Sequence, residues 1–338
     1  MARRRPSLLV LAPRVLFESF FDAPRRAGLS RTFAWRRIAA ARATPAVRAA
    51  LRGADALVTT WDSPSFGEEL VEWAPALRMV AHCGGEVKGR FARPLFERLV
   101  IANAPGPMAA PVAELAVAFL LHAARRLDDY RDELRRGSTR VYRALHDRGA
   151  GAETLHDRRV GLLGFGRIGR ETARLLRPFG AALSVHDPHV APARIRAAGA
   201  APVPLPRLLE SSEFLVLAAG LTDRTRGLLD RRALGRLPRG ATIVNVARGG
   251  LVDIGALVAA VRAGRLRCAL DVTDPLEPLP AGHALRRMRG AVVTPHIGAA
   301  SVGVRRAMAD VLLDSLERFF RGERVRTRVT PAMLDRMT

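Results

Sequence analysis

The chain has 338 residues, 49% of them hydrophobic and 26% charged, with a formal net charge of +23. Those shares are ordinary for a folded chain and exclude a disordered one, and the length allows two domains, each with its own core. Lys88 is the single lysine and the arginines are scattered along the whole length, so the charge reads as a bias toward arginine and not as a nucleic-acid-binding tail, although such a field gathers small anions.

Cys83 and Cys268 are the only cysteines, too few for a disulfide framework or a zinc cluster, and they fit a reducing, cytoplasmic setting. The apolar run after Met1-Ala-Arg-Arg-Arg is stopped by Pro13-Arg14 and no small-residue cleavage site follows, so it reads as a first strand and not as a secretion signal. No stretch approaches the ~18 continuous apolar residues of a membrane span.

Short apolar runs at Leu8–Ala12, Ala56–Thr60, Arg78–His82 and Leu99–Ala102 alternate with segments of helical period at Ser65–Trp73 and Arg90–Arg98. That rhythm predicts a small parallel sheet with crossover helices. Pro105, Pro107 and Pro111 then punctuate the chain, and Pro111 suits the first turn of a long helix over Val112–Arg136. A domain boundary is expected here.

Residues 160–169 read Val-Gly-Leu-Leu-Gly-Phe-Gly-Arg-Ile-Gly and lead through a helical stretch into Leu-Ser-Val-His-Asp187. This is a strand, a Gly164-x-Gly166-x-x-Gly169 turn, a helix and a second strand ending on an acid. Gly164 allows the tight turn, Gly166 lets backbone approach a pyrophosphate and Gly169 lets the helix pack on the strand, while free N–H groups at the helix start face the anion. Asp187, 18 residues beyond Gly169, suits a ribose and repels a 2′-phosphate, which favours NAD over NADP.

Further strands are expected at Phe214–Ala218, Thr242–Val246, Cys268–Asp271 and Ala291–Thr294, followed by an amphipathic helix near Val302–Arg321 that returns to the first domain. In a doubly wound sheet ligands bind beyond the carboxyl ends of the strands. Asp187, Arg248, Asp271 and His296 fall there. Arg248 precedes Gly249-Gly250, which frees its guanidinium as a planar fork for a carboxylate. A lone histidine on an apolar strand is commonly a satisfied core residue, but Glu277, held between prolines in Asp-Pro-Leu-Glu-Pro, suits orienting the His296 imidazole and favouring its protonated form. Asp271 lies too near its strand to serve as the base and better suits the nicotinamide carboxamide. Neither His-x-x-x-His nor clustered cysteines occur, so no metal is expected.

Gly-Phe-Gly-Arg-Ile-Gly with Asp187, Asn-Val-Ala-Arg248-Gly-Gly-Leu-Val-Asp, Asp271-Val-Thr-Asp-Pro-Leu-Glu277-Pro and Thr-Pro-His296-Ile-Gly together resemble the D-isomer-specific 2-hydroxyacid dehydrogenase family, over about Asn103 to Ser301. The resemblance implies an α/β fold of two parallel-sheet lobes, flavodoxin-like and Rossmann-like, with the active site in the cleft between them. It places a substrate domain at 1–103 plus 297–338 and an NAD-binding domain at 104–296, commonly dimerising through the latter. It implies that Arg248 binds the substrate carboxylate, that His296 is the acid/base paired with Glu277, that Arg167 and Ile168 cap the pyrophosphate, and that Ala247, Asp271 and Gly298 hold the nicotinamide side.

Two departures stand out. The segment Leu217–Thr225 keeps Thr222 and Thr225 on the cofactor side but has Ala218 and Gly220 where the family usually has His and Pro. The loop Gly84-Gly85-Glu86 stands where members use backbone amides to hold the substrate carboxylate, and Glu86 is unusual there. The reading is therefore an NAD-dependent 2-ketoacid reductase acting on small anionic 2-keto or 2-hydroxy acids as a cytoplasmic homodimer. The alternative is an NAD(H)-sensing interaction protein with the same fold and little turnover. A third possibility, nucleic-acid binding driven by charge, predicts binding that collapses with salt.

Overall fold

In the computed structural model, residues 4–137, 139–147, 154–335 and 337 are described. The chain forms two compact units, Met1–Met108 with Ala299–Thr338, and Ala109–Gly298. The boundaries fall a few residues beyond those expected at 103 and 296.

The first unit holds strands β1 (Ser7–Leu11), β2 (Ala34–Ile38), β3 (Ala56–Thr60), β4 (Met79–Cys83) and β5 (Val100–Asn103). They form one parallel sheet in the order β2-β1-β3-β4-β5, the flavodoxin-like winding. The central strands β3 and β4 are buried along their whole length because both faces are covered. Leu8 and Val10 of β1 pack into one core with the returning helix Val302–Phe320, and Leu9 and Leu11 into the other. The fifth strand of the sheet, β2, was not expected from the sequence: Ala-Trp-Arg-Arg-Ile lies at the sheet edge, where two arginines are tolerated.

The helices expected over Ser65–Trp73 and Arg90–Arg98 shrink to single turns, Leu70–Trp73 and Leu95–Arg98. Their leading residues pair with each other: Phe66 N–H donates to Arg90 O at 2.8 Å and Ala92 N–H to Phe66 O at 3.0 Å. Phe66 and Phe91 are thereby buried as a stacked pair.

The second unit carries β6 (Arg159–Leu163), β7 (Ala182–His186), β8 (Ala201–Pro202), β9 (Phe214–Leu217), β10 (Thr242–Asn245), β11 (Arg267–Leu270) and β12 (Ala291–Val293). Their order is β12-β11-β10-β9-β6-β7-β8, all parallel. Winding reverses between β6 and β9, which is where a doubly wound sheet opens a crevice at its carboxyl edge.

The long helix expected over Val112–Arg136 is two helices, Ala109–Ala124 and Leu127–Arg135, broken at Arg126 with φ 52°. Just past the break, Asp129, whose side chain is fully buried, is held by Arg126 at 2.6 Å, Arg289 at 2.7 Å and Arg267 at 3.2 Å. Among the described residues the stretch Gly106–Ala124 is long and apolar enough to cross a membrane by length and composition. It is interrupted by Glu114, and Val112, Ala113, Ala116 and Leu120 are buried, with its helix against Arg167–Leu176 and β10.

Candidate active site

The dinucleotide cradle is built by sterics. Gly164 has φ +96°, and a Cβ there would stand 2.6 Å from Ala219 N and 2.7 Å from Ala218 C, so no side chain fits where β6 turns against the segment after β9. A Cβ on Gly169 would collide with Gly164 O. Gly166, by contrast, faces open space: a Cβ there would meet nothing within 4 Å. It caps the helix Arg167–Leu176, whose first N–H groups lack partners within the helix. Arg167 and Ile168 are the first two residues of that helix. This loop therefore fits a pyrophosphate.

Asp187 ends the next strand, half-exposed. Its Oδ2 accepts from Phe165 N at 2.7 Å and its Oδ1 from His189 N at 2.8 Å. The acid thus ties the glycine loop to the end of β7 and presents a fixed negative edge. Thr225 Oγ1 accepts from Thr222 N at 2.8 Å and donates to Gly220 O at 2.7 Å, so this hydroxyl closes its own turn.

Arg248 follows β10. The buried Asn245 shapes its loop, with Nδ2 donating to Arg248 O at 2.9 Å and Oδ1 accepting from Ala247 N at 3.1 Å. Asn245 escaped the sequence reading, although an amide at a strand end is a signal of such a turn. Gly249 brings this loop onto the one after β11, because a Cβ there would overlap the Thr273 backbone. Arg248 Nη1 donates to Ala247 O at 2.8 Å, and its side chain makes no other hydrogen bond among the described residues.

His296 adopts φ 57°, a left-handed backbone uncommon outside glycine. Asp271 holds it there. His296 N–H donates to Asp271 O at 2.9 Å, while the Asp271 carboxylate accepts from Thr294 Oγ1 at 2.6 Å, Ile297 N at 2.8 Å and Gly298 N at 2.9 Å. Expected on the nicotinamide side, Asp271 is buried and committed to the loop that carries the histidine.

The imidazole Nδ1 lies 2.5 Å from Glu277 Oε1, and Glu277 Oε2 accepts from Thr273 N at 3.0 Å. The hydrogen bond to Glu277 raises the His296 pKa above its ordinary value, against desolvation and the repulsion of Arg248. Burial pushes Glu277 up, but His296, Thr273 N–H and Arg248 outweigh it and hold the carboxyl below its ordinary value. Arg248, Glu277 and His296 therefore act in one electrostatic field. Sequence reasoning brought these three together, and the structure places them on adjacent loops of the second unit.

In the first unit, Gly84 must be glycine because a Cβ would strike the His82 ring. His82 is buried, its Nδ1 2.9 Å from Thr59 Oγ1, and burial pushes its pKa down to about 3, so it is a neutral packing residue. Asn103 Nδ2 donates to Gly85 O at 2.7 Å and fixes the loop. Glu86 turns back over Gly89; burial lowers the Arg90 pKa, and the Glu86 charge offsets part of that.

A Rossmann-type unit whose strand ends present a glycine cradle, an arginine fork and a glutamate-bound imidazole defines a nicotinamide-dependent oxidoreductase. The family model for the D-isomer specific 2-hydroxyacid dehydrogenase NAD binding domain matches residues 117–298, and the chain belongs to that family. It is 33% identical over 275 residues, 81% of this chain and 82% of its relative, to a glyoxylate reductase from Korarchaeum cryptofilum. It is 34% identical to the human glyoxylate reductase/hydroxypyruvate reductase, covering 66% of this chain and 67% of that one. Its fold matches an NADPH-dependent glyoxylate/hydroxypyruvate reductase from Sinorhizobium meliloti in complex with NADP and malonate, with a TM-score of 0.77 at 27% identity, covering 97% and 98% of the two chains.

Proposed function

We propose that this protein reduces small 2-keto acids to D-2-hydroxy acids with NADH, and that His296 is its acid/base. The observation that carries the reading is the Glu277–His296 pair with Arg248 in its field. When bound, the reduced nicotinamide supplies the hydride that reaches the keto carbon. The chain's own residues do the rest. Because Nδ1 is committed to Glu277, Nε2 is the nitrogen left for the substrate. As imidazolium it delivers a proton to the carbonyl oxygen as negative charge develops there, and in the reverse direction neutral Nε2 takes the hydroxyl proton. Arg248 fixes the carboxylate and polarises the carbonyl, which pre-organises the reacting carbon. Backbone N–H groups of Gly84, Gly85 and Glu86 are a second carboxylate ligand set in this reading. The turned-back Glu86 side chain removes the objection that an acid there would repel substrate.

The relatives' names make glyoxylate and hydroxypyruvate the first substrates to test. Asp187 favours NADH although the Sinorhizobium meliloti relative is NADPH-dependent, because its fixed carboxylate opposes a 2′-phosphate. Ala247, Gly298 and Thr225 belong to the cofactor side of this proposal by family resemblance. We extend the reading to a cytoplasmic homodimer; the two free, buried thiols of Cys83 and Cys268 suit a reducing compartment. The sensor alternative has no support from these relatives, whose names are those of reductases.

The test is a panel of 2-keto acids, beginning with glyoxylate and hydroxypyruvate, assayed with NADH and NADPH. Turnover of at least one with NADH, reduced about 10² to 10⁴-fold in His296→Ala, is expected. NADH binding without turnover across the panel would overturn the reading.

A further inference from the structure

The opposite edge of the second unit's sheet carries a cavity that the proposed reaction does not use. About 870 Å³ in volume, it is lined by residues at the amino ends of the strands: Arg159 opens β6, Phe214 opens β9, Thr242 opens β10 and Arg267 opens β11. Gly164, Asp187 and Arg248 follow the carboxyl ends of the same sheet, so the cavity is distinct from the dinucleotide cradle.

Its charge is lopsided. Seven arginines line it against one carboxylate, Glu213. Glu213 is already engaged, accepting from Arg158 Nη1 at 3.1 Å and Arg159 N at 3.0 Å. Asp129, behind the wall, has no exposed side-chain surface and serves Arg126, Arg267 and Arg289 at once. Arg239 and Arg262 are exposed and, among the described residues, make no ion pair or hydrogen bond through their side chains. Arg239 and Arg262 thus add two cations without an ion pair among the described residues to a wall already rich in arginine, and like charges lining one partly enclosed site repel. A bound anion relieves that repulsion, and planar guanidinium forks match phosphate oxygens. The floor is different in kind: buried Leu266 and Phe214, with Met288 beside them, offer an apolar surface for a ring or chain. The volume is that of a site for a small organic molecule.

We propose that this cavity is a second ligand site that takes a small organic polyphosphate, its phosphates on Arg239, Arg262 and Arg289 and its apolar body on Phe214 and Leu266. ATP is the probe, titrated calorimetrically into the full chain at physiological salt with NADH saturating so that the dinucleotide cradle is filled. Saturable binding of one ATP per chain is expected. The double variant Arg239→Glu/Arg262→Glu should weaken it at least about tenfold while leaving NADH affinity and keto-acid turnover as in the unmodified protein. Arg52→Glu/Arg98→Glu, exposed in the first unit, removes the same charge elsewhere and should change ATP binding little. Tripolyphosphate, which lacks the apolar body, should bind more weakly than ATP. No saturable ATP binding, an equal loss in both double variants, or equal affinity for ATP and tripolyphosphate would each overturn the assignment. Because the readout is binding, it is independent of whether any 2-keto acid is reduced.

Discussion

Asp271 Oδ2 accepts the Gly298 N–H at 2.9 Å, closing a carboxylate clamp over the loop on which His296 stands. The other oxygen takes Ile297 N–H and the Thr294 hydroxyl. Three donors converging on this buried side chain satisfy its oxygens without a cationic partner among the described residues. Its task is to hold His296 at φ 57°, a conformation the backbone would leave if released.

Asp271→Asn therefore should destabilise the protein by about 1–3 kcal/mol, since an amide turns one acceptor into a donor facing an N–H group. Urea denaturation measures this. Keto-acid turnover should fall with it, while the pH above which reduction declines should move less than when Glu277 is replaced. A variant of unchanged stability and turnover would show that the clamp does not position His296.

The carboxylate of Asp187 bridges Phe165 N and His189 N, and in the proposed reading it also sets the cofactor preference. Asp187→Asn keeps one acceptor and removes the charge. The ratio of kcat/KM for NADPH to that for NADH should rise at least about tenfold, equivalent to about 1.4 kcal/mol of relieved like-charge repulsion. NADPH preferred by the unmodified protein would contradict the role given to Asp187.

Gly249 is required because a Cβ would overlap the Thr273 backbone. Gly249→Ala should push the Arg248 loop away from the Glu277 loop and raise KM for the keto acid together with a loss of kcat, by about 10²-fold in kcat/KM. NADH affinity, measured by fluorescence titration, should change far less. Equal loss of both would locate the damage in the whole unit and not in the arginine.

What could be read from the sequence follows from how local each signal is. The strands β3, β9 and β10 are short apolar runs buried on both faces, and their start points were readable to the residue. The cradle and the Arg248, Glu277 and His296 loops carry their chemistry in contiguous motifs. The missed strands, β2 and β8, are edge strands, one with two arginines and the other two residues long and ending in proline, where apolar periodicity has no reason to appear. Two of the three arginines around Asp129, just past the break at Arg126, are Arg267 and Arg289, more than a hundred residues away in the chain, so no local signal shows that cluster. For Asp271 a strand-end acid shows its position in the sequence but not the three donors from the His296 loop that surround it.

The pH dependence of keto-acid reduction is the sharpest test of the Glu277–His296 pair. The glutamate hydrogen bond raises the His296 pKa, and the pair holds Glu277 below its ordinary value. In the proposed reaction the imidazolium is the acid, so kcat/KM should be flat at neutral pH and decline as pH rises through the raised His296 value. The pair's contribution to stability has the same upper limit, lost as His296 deprotonates, and a lower limit reached as Glu277 is protonated on acidification. Glu277→Gln removes the raising influence, so the decline in reduction should begin at a more acidic pH, with kcat at neutral pH reduced and NADH affinity retained. His296→Ala should lose about 10² to 10⁴ in rate, the usual worth of a positioned acid, and no pH limit of this origin should remain. If Glu277→Gln leaves the upper limit where it was, the group that titrates is not His296, and the acid in the reaction must be sought elsewhere.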